Sequence, residues 1–231
     1  MIVLELDSVG KSFGGRRILT SATLRAEAGS VTTLLGRNGA GKSTLLAIAA
    51  GVIRADYGRI VFRERMWERP TLTALACEGL FFLPARELLI PTMLVGAQLD
   101  LVTRTFGTTP DGALLDQLRV QDLRARRPLT LSGGERRRAE VAVAVCRTPV
   151  CLLADEPLRD LAPLDAECCA DALRALARAG CAVVVTGHEV GPLLQIADRV
   201  VWCTDGTTYE LGTPATAAEH WAFRRGYLAD A

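Results

Sequence analysis

The run Gly36-Arg37-Asn38-Gly39-Ala40-Gly41-Lys42-Ser43 constrains this chain's fold more than any other stretch. It follows the short apolar run Val31-Thr32-Thr33-Leu34-Leu35, which reads as a buried strand. It opens directly into a helical pattern at Thr44, closed by Gly51. A glycine-rich turn between strand and helix lets successive backbone N–H groups curl around an anion, with the positive helix end facing it. Gly36, Asn38, Gly39, Ala40, Gly41 and Thr44 supply this cradle. Lys42 is placed to reach the outer phosphates, and the Ser43 hydroxyl is a hard oxygen ligand for Mg²⁺. Of 27 Lys and Arg residues only Lys11 and Lys42 are lysines, so finding one here argues against a plain structural turn. The pattern predicts a nucleoside triphosphate site.

Strand patterns recur at residues 2–6, 18–24, 59–62, 150–154, 181–185 and 199–202, with Phe13-Gly14-Gly15 as a tight turn. Helical patterns at 164–179 and 192–197 alternate with the later strands, which predicts an α/β chain with a parallel sheet. From about 65 to 130 the period is helical, with Leu72, Leu75 and Leu80 in its first part and Pro84, Pro91, Pro110 and Pro128 as breaks. This stretch reads as a helical insertion.

Composition excludes several classes. Lys+Arg 27 against Asp+Glu 26 leaves +1, too little for nucleic-acid binding by overall charge, and no nucleic-acid partner is expected. Mean hydropathy is +0.22, yet the most apolar stretch, 88–102, is interrupted by Pro91, Thr92, Gln98 and Asp100 and does not span a bilayer. High hydropathy without a span fits a sheet covered on both faces, or a surface that docks on an apolar partner. The seven cysteines are odd in number and lack Cys-x-x-Cys spacing, so they read as small buried hydrophobes in a reduced compartment. The first residues lack the basic-then-apolar layout of a secretory signal, and a cytoplasmic location is expected.

A second glycine-rich helix start is Leu131-Ser132-Gly133-Gly134-Glu135. Alone it also reads as the N-cap of an ordinary helix. Its setting is more specific: Ser132 lies 90 residues beyond Lys42, and 23 further on Asp155-Glu156 close the apolar run Cys151-Leu152-Leu153-Ala154. His188 follows Glu156 by 32 residues, at the end of Val183-Val184-Val185. As an ordered set these motifs resemble the ATP-binding cassette (ABC) ATPase family, whose signature is LSGGQ or LSGGE. The resemblance covers essentially the whole chain.

That resemblance implies a P-loop NTPase (RecA-like) core with an N-terminal antiparallel β subdomain, from residues 1–84 and 146–231, and a helical subdomain, 85–145, carrying the signature. It implies ATP hydrolysis. Asp155 and Ser43 would hold Mg²⁺, partly through water, and Glu156 would orient and deprotonate the attacking water. His188 would touch the γ-phosphate, and Phe13 would stack on adenine, although a hairpin aromatic packed in a small core is an equal reading of Phe13. Leu131, Ser132, Gly133, Gly134 and Glu135 would face the nucleotide held by a second subunit. Two cassettes, as a homodimer or a heterodimer with another ABC ATPase, would thus sandwich two ATP molecules head to tail. The expected role is the energy-coupling subunit of a membrane transporter, on the cytoplasmic face of the cell membrane, with a separately encoded permease. The alternative is a soluble ABC ATPase whose dimerisation acts as a switch, as in cofactor assembly.

Two positions depart from the family pattern. Ala85 stands where a glutamine is usual, with Arg86 or Glu87 as candidate stand-ins, and Ala162 stands where an aspartate is usual, with Asp160 or Asp165 as candidates. The clusters Arg124-Arg126-Arg127 and Arg136-Arg137-Arg138 read as solvated faces flanking the signature. Leu88, Leu89, Ile90, Met93 and Leu94 read either as permease contacts or as the insertion's own core. The short ending after Gly212 predicts no appended regulatory domain.

Overall fold

Alternating apolar residues near the N-terminus build a hairpin from β1 (Ile2–Phe13) and β2 (Arg16–Glu27), turned at Gly14-Gly15 and paired antiparallel with several register shifts. The computed structural model describes residues 1–86, 88–188 and 190–225. After the hairpin come β3 (Val31–Leu35), α1 (Lys42–Ala49), β4 (Tyr57–Phe62), β5 (Arg65–Met66), α2 (Leu72–Cys77) and β6 (Leu80–Leu83). The helices α3 (Val95–Phe106), α4 (Gly112–Gln117) and α5 (Gly133–Arg147) follow, then β7 (Cys151–Ala154), α6 (Pro163–Arg178) and β8 (Ala182–Gly187). The chain continues through α7 (Val190–Ile196), β9 (Arg199–Thr204), β10 (Thr207–Gly212), α8 (Pro214–Glu219) and α9 (Trp221–Phe223).

The strands form a sheet in the order β5-β4-β1-β2-β10-β9-β3-β8-β7-β6. From β9 to β6 every pairing is parallel, whereas β1, β2, β4 and β5 pair antiparallel. Alternation along the parallel strands divides the interior into two cores. Val183 and Val185 of β8 join Leu152 and the helices α5 and α6 on one face, while Val184 joins Leu153, Leu45 and the β1–β2 hairpin on the other. Burial on both faces explains why β3, β7 and β8 lack polar alternation: β7 is apolar throughout, and the threonines of β3 and β8 are themselves buried. Among the described residues, no helix is long and apolar enough to cross a membrane.

Three readings from the sequence need correction. Leu80 belongs to strand β6, not to a helix: Leu80 to Leu83 pair in parallel register with Cys151 to Ala154, and that ladder outweighs a leucine spacing that also suits a helix. β1 extends well past residue 6 because its bulges keep the polar stretch to Phe13 paired with β2. β10 was not anticipated at all. Its Thr207-Thr208-Tyr209-Glu210 is half exposed and held by β9 and a single bridge to β2, so it carries no apolar signature. All seven cysteines are free, and Cys77 is exposed while the other six are buried.

Candidate nucleotide site

β3, β8 and β7 lie side by side in parallel, so their C-terminal ends open on one edge of the sheet. The loop from β3 to α1 depends on glycine at two close approaches. A methyl group at Gly36 would sit 2.3 Å from the Cys203 carbonyl oxygen. Gly41, the N-cap of α1, has φ +104°, and a methyl there would lie 2.7 Å from Leu19 Cδ2. Asn38 and Gly39 form the exposed crest, Ser43 is exposed beside it, and Ala40 and Thr44 are half buried.

Lys42 is 5% exposed, and its Nζ donates to the carbonyls of Gly36 at 2.6 Å and Arg37 at 3.2 Å. Burial pushes its ammonium below the ordinary lysine value, while Glu156, Cys203 and Asp155 oppose that shift. Cys203 supports the loop from beneath, donating from Sγ to the Ala40 carbonyl at 3.1 Å. Burial pushes its thiol up to about 11, so it stays protonated at neutral pH.

Asp155 and Glu156 leave the end of β7. Asp155 Oδ1 accepts hydrogen bonds from Ser43 Oγ at 3.1 Å and from Thr186 Oγ1 at 2.6 Å. Thr186 Oγ1 in turn accepts the backbone N–H of Glu156 at 2.9 Å. One fully buried hydroxyl on β8 therefore fixes both acidic residues. Sequence reasoning passed over Thr186, whose signal was its place at the β8 end, two residues before His188. The hydroxyl of Ser43 and the buried carboxylate of Asp155 are hard oxygen donors within one ion's reach, and they fit Mg²⁺.

Glu156 has φ +47°, a left-handed backbone that a non-glycine residue adopts only under constraint. Its Oε1 lies 3.6 Å from His188 Nδ1, and its Oε2 accepts from Arg159 Nη1 at 2.7 Å. Burial works to raise the carboxyl's pKa, but Arg159, His188 and Lys42 outweigh it and hold Glu156 below the ordinary glutamate range. Arg159 was not foreseen. No local pattern marks it, and its meaning comes from the i,i+3 pairing with Glu156.

Phe13 ends β1 with its ring half exposed and Lys11 Nζ 5.3 Å from the ring centroid, so it is not a core aromatic. Ser132 N-caps α5 in a capping box. Its Oγ accepts the Glu135 N–H at 3.2 Å, and Glu135 Oε2 accepts the Ser132 N–H at 2.8 Å. Leu131 is buried beneath this start, and Ser132 and Gly133 are exposed on it. A methyl at Gly134 would collide with Asp165. Among the described residues, no hydrogen bond joins Ser132–Glu135 to the phosphate loop of the same chain.

The arginine clusters are not simply solvated faces. Arg137 is buried, paired with Glu140 at 3.0 Å and donating to the carbonyls of Pro84 and Ala85, and Arg138 pairs with Asp165 at 2.8 Å. Arg124 and Arg126 pair with Asp100 and Glu135, while Arg127 and Arg136 are exposed. Asp165 is engaged by Arg138 and Asp160 by Arg159, both within this chain. At Ala85, Arg86 shares its cavity, and Glu87 lies outside the described residues. The apolar set divides: Leu89 is core, Leu88 packs against it, and Ile90 and Leu94 are exposed. Gln98, buried and unforeseen, closes this loop by bonding Ile90 N, Ile90 O and Met93 O.

The family profile described as ABC transporter matches residues 19–159. The lipopolysaccharide export system ATP-binding protein LptB of Acidithiobacillus ferridurans is 30% identical over 99% of this chain and 97% of its own length. The Fe(3+) ions import ATP-binding protein FbpC 2 of Rhodococcus jostii is 33% identical over 91% of this chain and 62% of its own length. Among solved structures, a nucleotide-free ATP-binding cassette from an ABC transporter superposes with TM-score 0.83 at 22% identity, covering 100% of this chain and 96% of that one. A dimeric bacterial ABC transporter cassette gives TM-score 0.78 at 23% identity, covering 90% and 98%. At such identities the structural likeness establishes the fold alone.

Proposed function

We propose a mechanism from one premise: this chain belongs to the ABC transporter family, as an ATPase subunit that powers a membrane transporter. Its fold is the P-loop NTPase core of that family, with an antiparallel β portion and a helical insertion bearing the signature. The observation that carries the mechanism is the meeting of Ser43, Asp155, Glu156 and His188 at adjacent strand ends. The phosphate loop cradles the β- and γ-phosphates, and Lys42 exchanges its bonds to the Gly36 and Arg37 carbonyls for bonds to phosphate oxygens. Ser43 and Asp155 would hold Mg²⁺, which would supply charge that offsets the phosphates. Glu156 takes the proton of the attacking water, and His188 orients the group under attack. Phe13, exposed at the hairpin end, offers its face to adenine.

The family's dimeric cassettes support pairing of two copies, with Ser132 to Glu135 of one subunit closing over the phosphate loop of the other. The exposed Ser132 and Gly133 at the start of α5 suit that role. A separately encoded permease on the cytoplasmic face completes the transporter. The named relatives serve lipopolysaccharide export and Fe(3+) import, so cargo choice belongs to the membrane partner. This transport reading supersedes the soluble-switch alternative.

The test is Glu156→Gln. ATPase turnover should fall by about 100-fold or more while ATP binding persists, because the base is removed and the cradle is not. Purified from solubilised membranes with Mg-ATP, the variant should bring down a polytopic membrane protein. Turnover near the unsubstituted rate refutes the assignment of Glu156, and a soluble partner refutes the transporter role.

A further inference from the structure

Arg159 is the residue that borders both the cleft around Glu156 and His188 and a separate cavity of 390 Å³ beside Ala85. On the inner side its Nη1 holds Glu156 Oε2 at 2.7 Å. On the outer side its Nε donates to Asp160 Oδ2 at 3.0 Å, and Asp160, largely exposed at φ +55°, turns the loop so that the guanidinium stays aimed inward. The root of Glu156 is already fixed by its left-handed backbone and by the Thr186 hydroxyl on its N–H. The freedom left to this residue is rotation of the carboxylate, and Arg159 removes it. Arg159 itself is 43% exposed, so its grip is reversible.

We propose that Arg159 is a positioning residue that restrains Glu156, holding its carboxylate to one side so that each turnover must first break the Arg159–Glu156 pair. The inference rests on Glu156 being the base. It also gives the cavity beside Ala85 a link to the chemistry. Alanine at that position presents no polar side chain, whereas Arg159 lines the cavity and holds the Glu156 carboxylate with its guanidinium. Arg86 and Arg136 line the same cavity with no ion pair among the described residues, whereas its two carboxylates, Glu140 and Asp160, are already paired with Arg137 and Arg159. A carboxylate arriving there competes with Glu156 for Arg159.

ATPase rates across ATP concentrations for Arg159→Ala, Arg159→Lys and the unsubstituted protein test this. Arg159→Ala should raise kcat by about twofold to fivefold, the span expected for a half-exposed ion pair. The KM for ATP should not change, nor should binding of a fluorescent ATP analogue measured without Mg²⁺. Arg159→Lys, which keeps the charge, should return kcat toward the original value. Asp160→Asn, which loosens the aim of Arg159, should give a smaller rise. Unchanged or lowered kcat in Arg159→Ala overturns the restraint, as does a lysine variant that behaves like alanine. Glu156→Gln run alongside separates the two ideas. If it keeps turnover, the base assignment fails, and if it abolishes turnover while Arg159→Ala gains nothing, the restraint alone fails.

Discussion

Replacing Thr186 with valine tests whether one hydroxyl joins the strand ends of the nucleotide site. The side chains match in shape, so the core around β8 keeps its packing, and what is lost is two hydrogen bonds at a fully buried atom. A bond to a charged acceptor such as Asp155 contributes about 1.5–3 kcal/mol, and the stranded N–H of Glu156 costs about 1–3 kcal/mol. Because both belong to one hydroxyl they do not add fully, and a loss of about 3 kcal/mol is expected. With a urea slope of about 3 kcal/mol/M for a chain of this size, the unfolding midpoint should drop by about 1 M. Thr186→Ser is the control. It keeps the hydroxyl and gives up one buried methyl, for about 1 kcal/mol. Urea unfolding followed by circular dichroism reads both variants. If valine and serine give the same midpoint, the Thr186 hydroxyl does not join the strand ends.

Two further perturbations probe the helix starts. Gly41→Ala forces a side chain onto φ +104° and against Leu19, and it should weaken ATP binding by about tenfold or more in a fluorescent-nucleotide titration; unchanged affinity counts against the loop geometry. Glu135→Ala removes half of the capping box and should cost about 1 kcal/mol at pH 7. The Ser132 N–H and the Arg126 guanidinium hold the Glu135 carboxyl below its ordinary value. A depressed folded pKa means that the stabilisation is full above the unfolded value of about 4.3 and fades as pH falls through the folded one. Thermal melts of the two proteins should therefore converge in acid, and a gap that persists there would place the effect elsewhere.

Legibility in the sequence followed the range of the physics involved. The phosphate loop, the Ser132–Glu135 helix start and the Asp155-Glu156 strand end are local patterns, and each sits at the element boundary its composition demands. The buried strands were readable because burial on both faces leaves a continuous apolar run. Contacts made only by the fold were hidden. Thr186, Arg159 and Gln98 acquire their roles from partners set by tertiary packing or loop closure, and beyond the place of Thr186 at the β8 end, single positions give no hint of them. Arg137 and Arg138 were misread for the same reason: a run of arginines looks solvated until Glu140, Asp165 and two carbonyls are seen to hold it. β10 escaped because its half-exposed threonines carry no apolar signature, and the strand owes its character to the ladder with β9.

The sheet order has a consequence for synthesis on the ribosome. β3, which ends in the phosphate loop, has β8 and β9 as its two neighbours, and both are made long after it. At about 5–20 residues per second, translation leaves β3 without either ladder partner for roughly 8 to 30 seconds. During that interval the emerging polypeptide holds its first glycine-rich turn and then its acidic pair, yet β3 and β7 have no strand between them. Insertion of β8 closes that gap, and the hydrolytic centre comes into being in that late step. A nascent chain stalled before β8 exposes apolar strand edges of the kind that chaperones shield, and its capacity to hydrolyse ATP awaits one six-residue strand near its end.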